Sequence, residues 1–169
     1  MDGRSRSNRS EVGTALILGR FQPFHLGHLE LIKTVKEEYG KLIIAIGSAQ
    51  EKETSENPFD KNERKDIITI GLESAGIFQY EIVFINDIND DDRYVAHVEA
   101  IVRKFDIIYS GNELVLKLFK EAGYLAKKFE YVNREEWNGT SIREAMLNDR
   151  EWKSMLQPEV SAFIDKIRK

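Results

Sequence analysis

The sequence predicts a doubly wound α/β fold: a sheet of about five parallel strands with helices on both faces and a short helical C-terminus. Two observations predict it. Short, almost wholly apolar runs recur along the chain, as expected for strands that are covered on both faces. Segments with apolar residues at helical spacing separate these runs, and parallel neighbours require such crossover connections. The alternation therefore indicates successive βαβ units.

The predicted strands can be placed in order along the chain. Four are clear apolar runs and the fifth is weaker; they cover residues 14–18, 42–46, 81–85, 106–110 and 127–132. Asp60 and Glu63 form a predicted capping box at the start of the second helix. Beyond the fifth strand, helical segments are predicted over 141–147 and 158–168, so the chain ends in helices and not in a second domain.

Length and composition limit the class of protein. The chain has 169 residues, 41% hydrophobic and 32% charged, with no cysteine and a formal net charge of −4. We expect one domain over residues 13–169, preceded by a disordered tail over residues 1–12. A cysteine-free chain with no long apolar stretch favours a cytoplasmic protein without a membrane partner. The acidic balance argues against a nucleic-acid partner.

The segment after the first predicted strand carries the main candidate site. Residues 19–28 read GRFQPFHLGH, which is neither a dinucleotide fingerprint nor a P-loop. Ligands of α/β sheets bind beyond the carboxyl ends of strands, which is where this segment lies. His25 and His28 stand three residues apart at the start of a helix predicted near Leu26, where they predict an anion site. Metal ligation by the pair would lack a third ligand in the motif.

A second candidate anion site lies near the C-terminus. Residues 138–143 read NGTSIR, and Ser141 with Glu144 predicts a capping box from which Arg143 projects. Taken alone, this segment favours a capped helix with a solvated arginine. Beside GRFQPFHLGH, it favours a second group of phosphate donors.

Together the motifs resemble the nucleotidylyltransferase superfamily, whose members carry HxGH and a TSIR-like segment. The longer ordered set resembles the archaeal-type nicotinamide mononucleotide adenylyltransferases from about Thr14 to the C-terminal helix. That set comprises GRFQPFHLGH, IGSAQ (46–50), ENPF (56–59), ER (63–64), YSGN (109–112) and NGTSIR. The resemblance implies a Rossmann-like fold and the reaction of ATP with nicotinamide mononucleotide (NMN) to give NAD and pyrophosphate.

The resemblance also implies roles for individual residues. The catalytic set would be His25, His28, Arg143 and Arg20. The nucleotide would be bound by Gly19, Arg20, Phe21, Gln22, His25, Gly27, His28, Asn112, Asn133, Thr140, Ser141 and Arg143. NMN would contact Asp87 and Tyr94, where the family commonly has tryptophan in place of Tyr94. Relatives often carry a basic residue where Glu51 stands here, and Lys52 would replace it.

Metal and partners follow from the same resemblance. We expect Mg²⁺ to enter with ATP, held by phosphates and water, with no metal site made by protein side chains. The acidic run Asp90 to Asp92 then predicts a solvated loop. The family resemblance implies a homo-oligomer, commonly a hexamer.

Two other functions stay open. The chain could be an adenylyltransferase or cytidylyltransferase with another phosphate acceptor, such as phosphopantetheine, flavin mononucleotide or a phosphoalcohol. It could also be a nucleotide-sensing domain without catalysis. The presence of His25, His28 and Arg143 argues against the second, and a panel of acceptors would decide the first.

Overall fold

The computed structural model describes residues 13–130, 133 and 135–168. It contains one sheet of five parallel strands in the order β3-β2-β1-β4-β5, which is the doubly wound order without a sixth strand. The strands are β1 (Thr14–Gly19), β2 (Lys41–Ile46), β3 (Glu81–Phe84), β4 (Ile107–Ser110) and β5 (Leu125–Lys128). The predicted fold class is confirmed.

Six α-helices and one short 3₁₀ helix (Lys153–Met155) accompany the strands in the described residues. The α-helices are α1 (Leu26–Glu38), α2 (Lys61–Ser74), α3 (Asp91–Ile101), α4 (Glu113–Glu121), α5 (Gly139–Leu147) and α6 (Pro158–Ile167). Asp60 begins α2 with the predicted capping box. Asp90, from the acidic run, accepts a hydrogen bond from the Arg93 N–H and so begins α3. The predicted loop over Asp90 to Asp92 is therefore wrong, because Asp91 and Asp92 form the first turn of this helix. No described helix is long and apolar enough to cross a membrane.

The chain groups into two compact units. The first contains the sheet and comprises the residues up to Gly19, Ile32–Gly47 and Gln79–Phe129. The second comprises Arg20–Leu31, Ser48–Phe78 and the residues from Glu130 onward. The single domain over residues 13–169 stays a prediction, and the predicted tail, residues 1–12, lies outside the described residues.

Alternate residues of the strands fill both faces of the sheet in the first unit. Side chains on one face pack with α3, α4 and the loops beside them, in a cluster that includes Leu16, Leu18, Ile43, Ala45, Ile108, Val98 and Phe119. On the other face, Ala15, Ile17, Ile44, Ile46 and Ile107 are also fully buried. The sheet is therefore covered on both sides, which is why its strands read as continuous apolar runs.

In the second unit, α2 supplies the core. Its residues Ile67, Ile68 and Leu72 are fully buried, and each such side chain contributes roughly 1.5–3 kcal/mol. Gly71 lies against the ring of Phe24, so close that a Cβ there would come within 2.7 Å of Phe24 Cε1. The Gln157 side chain, just before α6, donates to the Gly71 carbonyl oxygen (2.9 Å). Helix α2 thus presents one face to the GRFQPFHLGH segment.

Both predicted boundaries of the fifth strand are wrong, because the strand ends at Lys128 and residues 129 and 130 lie outside it. The fifth strand begins at Leu125, two residues before the predicted range, because its register with β4 runs from Leu125 opposite Ile107 to Lys128 opposite Ser110. Its apolar signal is weak since most of this edge strand is exposed. The last two residues of the predicted range, 131 and 132, lie outside the described residues.

Candidate functional site

The GRFQPFHLGH segment forms a loop that is held by the side-chain amide of Gln22. The buried Gln22 side chain donates to the Phe59 carbonyl oxygen (2.8 Å) and accepts from the Phe59 N–H (3.0 Å). Phe21 adopts a left-handed backbone conformation (φ 53°), which turns the chain sharply between β1 and α1. The Gln22 amide therefore fixes the loop to Phe59.

His25 and His28 lie together at the start of α1, as predicted. Their ring centroids are 3.7 Å apart, and both side chains are buried. Nδ1 of His25 accepts a hydrogen bond from the Gly27 N–H (3.0 Å), and Nδ1 of His28 accepts from the His25 N–H (3.1 Å). Because Nδ1 is an acceptor in each ring, each neutral imidazole carries its proton on Nε2.

Gly27 permits this close approach. A Cβ at this position would lie 2.8 Å from Cε1 of His25 and 3.2 Å from the Trp137 carbonyl oxygen. Any side chain would therefore push the His25 ring away from the backbone N–H that fixes its tautomer. The motif needs glycine here for packing, not for a special backbone angle.

Both histidines are neutral at neutral pH. Burial, followed by the nearby charge of Arg143, lowers the pKa of His25 to about 3. Burial and then His25 lower the pKa of His28 well below its ordinary value. These rings therefore act as neutral N–H donors, and the positive charge of the site comes from arginine.

Arg143 joins the histidines from α5. Its Nη1 donates to the Gln22 carbonyl oxygen (2.8 Å) and its Nη2 to the Thr140 hydroxyl (3.4 Å). Burial and then the charge of Arg20 lower the pKa of Arg143, and the charge of Glu56 opposes this. The two arginines are thus close enough to repel each other, which favours an anion between them.

The start of α5 differs from the prediction. The helix begins at Gly139, and the side chain of Asn138, not Ser141, caps it by accepting from the Ser141 N–H (2.8 Å). The Ser141–Glu144 capping box is therefore wrong by three residues, since Asn138 is an equally good cap placed earlier. Thr140 and Ser141 both lie in the first turn, where the Asn138 cap accepts from the Ser141 N–H.

Arg20, the fourth predicted catalytic residue, is exposed. Its Nη1 donates to the Asn57 side-chain oxygen (3.4 Å). We refer to Arg20, His25, His28 and Arg143 as the arginine–histidine cluster. All four lie in the second unit, linked by the ring contact, the Gln22 carbonyl bond and the mutual influence of their charges.

Two further predicted residues of the second unit, Lys52 and Asn133, are exposed. Asn133 lies in an exposed turn with a left-handed backbone (φ 57°), and its side chain donates to Glu136 (2.8 Å). Within the described residues, no group of three or more acidic or histidine side chains is arranged to hold a metal ion.

The first unit contains Gly19, Asp87, Tyr94 and Asn112. Gly19 ends β1, and its carbonyl oxygen accepts from the Gly47 N–H (2.8 Å). Burial and then the charge of Asp87 raise the pKa of Tyr94 to about 12, so these two predicted NMN contacts lie near each other. The Tyr94 ring also packs edge-on against Phe119 in the core. The Asn112 side chain caps α4 by accepting from the N–H groups of Leu114 and Val115.

The third histidine, His97, has a structural contact of its own, since its Nε2 bonds to the Asn86 carbonyl oxygen (2.9 Å). Arg64 is a fully buried arginine that contacts the backbone of Arg20. The only sequence signal for it was the ER pair at 63–64, whose position on a buried helix face the sequence did not show.

A comparison with protein families identifies the class. The family profile described as cytidylyltransferase-like matches residues 16–145, which includes all four residues of the arginine–histidine cluster. The chain belongs to this family of nucleotidyltransferases.

Curated relatives narrow the class further. A nicotinamide-nucleotide adenylyltransferase of Picrophilus torridus is 43% identical over 153 residues, covering 90% of each chain. One of Methanococcus vannielii is 45% identical over 153 residues, covering 90% of this chain and 88% of its own. The predicted resemblance to the archaeal nicotinamide mononucleotide adenylyltransferases is confirmed, and so is the nucleotidyltransferase class of enzyme.

A solved structure supports the fold. It is a bifunctional NMN adenylyltransferase/ADP ribose pyrophosphatase of Francisella tularensis, complexed with AMP and a manganese ion. The TM-score is 0.74 at 23% identity, over 92% of this chain and 49% of that one. This chain thus spans about half the length of the solved chain, and at this identity the likeness concerns the fold alone.

Proposed function

We propose that this chain transfers the adenylyl group of ATP to NMN, giving NAD and pyrophosphate. The observation that carries the proposal is the arginine–histidine cluster, which gathers two cations and two N–H donors in one compact unit. Such a donor set suits the phosphates of ATP. Two relatives with this activity in their names are 43% and 45% identical to the chain over 153 aligned residues, which favours the same acceptor.

The reaction joins two phosphates directly. An oxygen of the NMN phosphate attacks the α-phosphorus of ATP, a new P–O bond forms, and the bond from the α-phosphorus to the β-phosphate oxygen breaks. The electron pair leaves with pyrophosphate. The attacking phosphate is already ionised near neutral pH, so the protein has no proton to remove. Two neutral histidines fit this step, because they donate hydrogen bonds and need not act as bases.

Each residue of the cluster has a proposed task. His25 and His28 direct their Nε2–H groups at the phosphates of ATP. Arg143, with the first-turn N–H groups of α5, stabilises the charge that develops on pyrophosphate. Arg20 contacts the phosphates from the loop before α1. The proposed nucleotide contacts also include Gly19, Phe21, Gln22, Gly27, Asn112, Asn133, Thr140 and Ser141.

The acceptor site is proposed around Asp87 and Tyr94. The Tyr94 ring is half-buried against the core, so a nicotinamide ring would stack on a smaller aromatic face than tryptophan offers. Lys52 is proposed as a donor to the NMN phosphate. These assignments rest on the family resemblance and on the proximity of Asp87 to Tyr94.

Mg²⁺ is proposed as the companion of ATP, held by its phosphates. The cluster offers cations and neutral N–H groups, which fit a phosphate chain and not the metal itself. We further propose a single domain over residues 13–169, a cytoplasmic location and a homo-oligomer, a hexamer by family resemblance.

An acceptor panel tests the proposal. The chain would be supplied with Mg²⁺, ATP and either NMN, nicotinate mononucleotide, phosphopantetheine or flavin mononucleotide, and pyrophosphate release would be followed. We expect release with a pyridine mononucleotide and none with the other acceptors. Release with phosphopantetheine or flavin mononucleotide alone would favour another transferase. Calorimetric binding of ATP without release for any acceptor would favour a nucleotide-sensing domain.

A further inference from the structure

Arg64 is a fully buried arginine in the first turn of α2 whose guanidinium joins three segments of the second unit. Its Nε donates to the Asp60 carbonyl oxygen (3.3 Å) and its Nη1 to the Arg20 carbonyl oxygen (3.0 Å). Its Nη2 lies within 3.1 to 3.3 Å of three further carbonyl oxygens, those of Ser48, Ala49 and Glu51. One side chain therefore fixes the loop after β1 and the loop after β2 to the start of α2.

Burying a charged guanidinium is unfavourable, so stability alone does not explain why an arginine lies here. Burial lowers the pKa of Arg64 to about 10, so the side chain stays charged at neutral pH. A buried ion is often replaced by apolar residues without loss of stability. The planar guanidinium, by contrast, can reach carbonyl groups in several directions at once, which a lysine ammonium on its single nitrogen cannot reproduce. The contacts thus specify loop geometry.

Arg20 is held at both its backbone and the end of its side chain. Arg64 holds its carbonyl oxygen, and Asn57 accepts from its guanidinium. Asn57 is itself buried, and its backbone N–H donates to the Thr54 hydroxyl (2.9 Å) while its carbonyl oxygen accepts from the Thr54 N–H (3.2 Å). The backbone and the side-chain end of Arg20 are therefore held by separate partners. Asn57 belongs to the ENPF segment and Arg64 to the ER segment, and neither segment has an assigned part in the proposed reaction.

We propose that Arg64 is a positioning residue that acts on adenylyl transfer through Arg20, with Asn57 as the second support. The inference rests on the proposed function, because Arg20 is taken to contact the phosphates of ATP. Arg64 itself is buried and touches no substrate. It sets where the exposed Arg20 guanidinium stands relative to the histidines and Arg143.

A double-mutant cycle tests the coupling. Arg64→Lys keeps the charge and loses the planar fork, Arg20→Ala removes the side chain that is positioned, and the double variant combines them. If Arg64 acts through Arg20, Arg64→Lys lowers kcat/KM for ATP about tenfold or more in the native background and less than about twofold when Arg20 is alanine. Ile68→Val, in the buried core of α2, serves as a control that lowers stability without touching Arg20.

The outcomes separate the alternatives. If kcat/KM of the double variant falls by the product of the two single losses, Arg64 acts independently of Arg20 and the proposal is overturned. Native activity in Arg64→Lys would also overturn it. A loss in Ile68→Val equal to that in Arg64→Lys would mean that stability alone matters and would also overturn it. If Arg64→Lys does not fold, Asn57→Ala takes its place in the cycle with the same expectation. If the native chain makes no NAD, the proposed function fails, and the cycle is then run on ATP affinity measured by calorimetry.

Discussion

The backbone N–H of His25 donates a hydrogen bond to Nδ1 of His28, 3.1 Å away, so the first histidine of the motif fixes the tautomer of the second. The Gly27 N–H fixes His25 in the same way. Protonating either ring would place a proton on Nδ1 where a backbone donor already points. This geometry, together with burial, explains why two adjacent histidines can share a site without repelling each other.

Replacement of His28 by asparagine tests the Nε2–H donor separately from the Nδ1 acceptor. Asparagine reaches about as far as Nδ1 and can still accept from the His25 N–H, but it provides no donor at the position of Nε2. We expect kcat to fall about 10²–10³-fold, as for loss of one donor to a developing anion. The midpoint of thermal unfolding also falls, because the buried ring loses its contacts with Phe21 and Phe24. Steady-state kinetics beside calorimetry checks this. Native kcat would show that Nε2–H of His28 is not used.

The two buried histidines also make stability depend on pH. Both are neutral in the folded chain, whereas in the unfolded chain their pKa is about 6.5. Below pH 6.5 the unfolded chain therefore binds protons that the folded chain does not, and the free energy of unfolding falls as pH is lowered towards about 3. Each histidine contributes a slope approaching about 1.4 kcal/mol per pH unit.

Denaturant unfolding between pH 7.5 and 5 checks this dependence, with His28→Asn as the matched control. The other titratable groups are common to both proteins, so the difference between their slopes isolates His28. The native chain should lose stability more steeply below pH 6.5. Parallel curves would contradict a neutral, buried His28.

Arg143 should affect turnover more than acceptor binding. Its donors are used most as charge moves to pyrophosphate, so Arg143→Ala is expected to lower kcat about 10³-fold, with the KM for NMN changed less than about threefold. Arg143→Lys keeps the charge and should recover only part of the loss, because the bond to the Gln22 carbonyl oxygen depends on the guanidinium. An unchanged kcat with a raised KM would refute this role.

Gly71 connects the core of α2 to the histidines. A Cβ at this position would lie 2.7 Å from Cε1 of Phe24, and the Phe24 ring stacks on His28 at 5.6 Å between centroids. Gly71→Ala should therefore destabilise the chain by about 1–3 kcal/mol, although alanine is the better helix former. Ser74→Ala, at an exposed position of the same helix, is the control. Stabilisation by Gly71→Ala would contradict this packing.

Much of the fold could be predicted from local patterns. The apolar runs and the Asp60–Glu63 capping box located four strands and the start of α2 because their signals are local. The fifth strand was misplaced because Leu125 lies exposed on the edge of the sheet, where burial leaves little pattern. The start of α5 was misplaced because Asn138 and Ser141 are both competent caps, and only the structure shows which one is used.

The sequence predicted which residues form the candidate site, but it did not predict which of them carry a charge. Spacing indicated that His25 and His28 lie side by side, and the rings are in contact. Their charge could not be read from spacing, because it depends on burial and on which backbone N–H each ring accepts from. The role of Arg64 was hidden for the same reason, since its partners are backbone carbonyl groups that leave no mark in the sequence.

The fate of the α-phosphorus of ATP distinguishes direct adenylyl transfer to NMN from hydrolysis of ATP. The chain would be supplied with Mg²⁺, NMN and ATP labelled at the α-phosphorus, and NAD, AMP and pyrophosphate would be separated and counted, with His28→Asn as the matched variant. We expect that the label enters NAD, that an equal amount of unlabelled pyrophosphate is released, and that the variant forms far less of both. Label in AMP or in pyrophosphate, or no labelled NAD above the level of the variant, would contradict it.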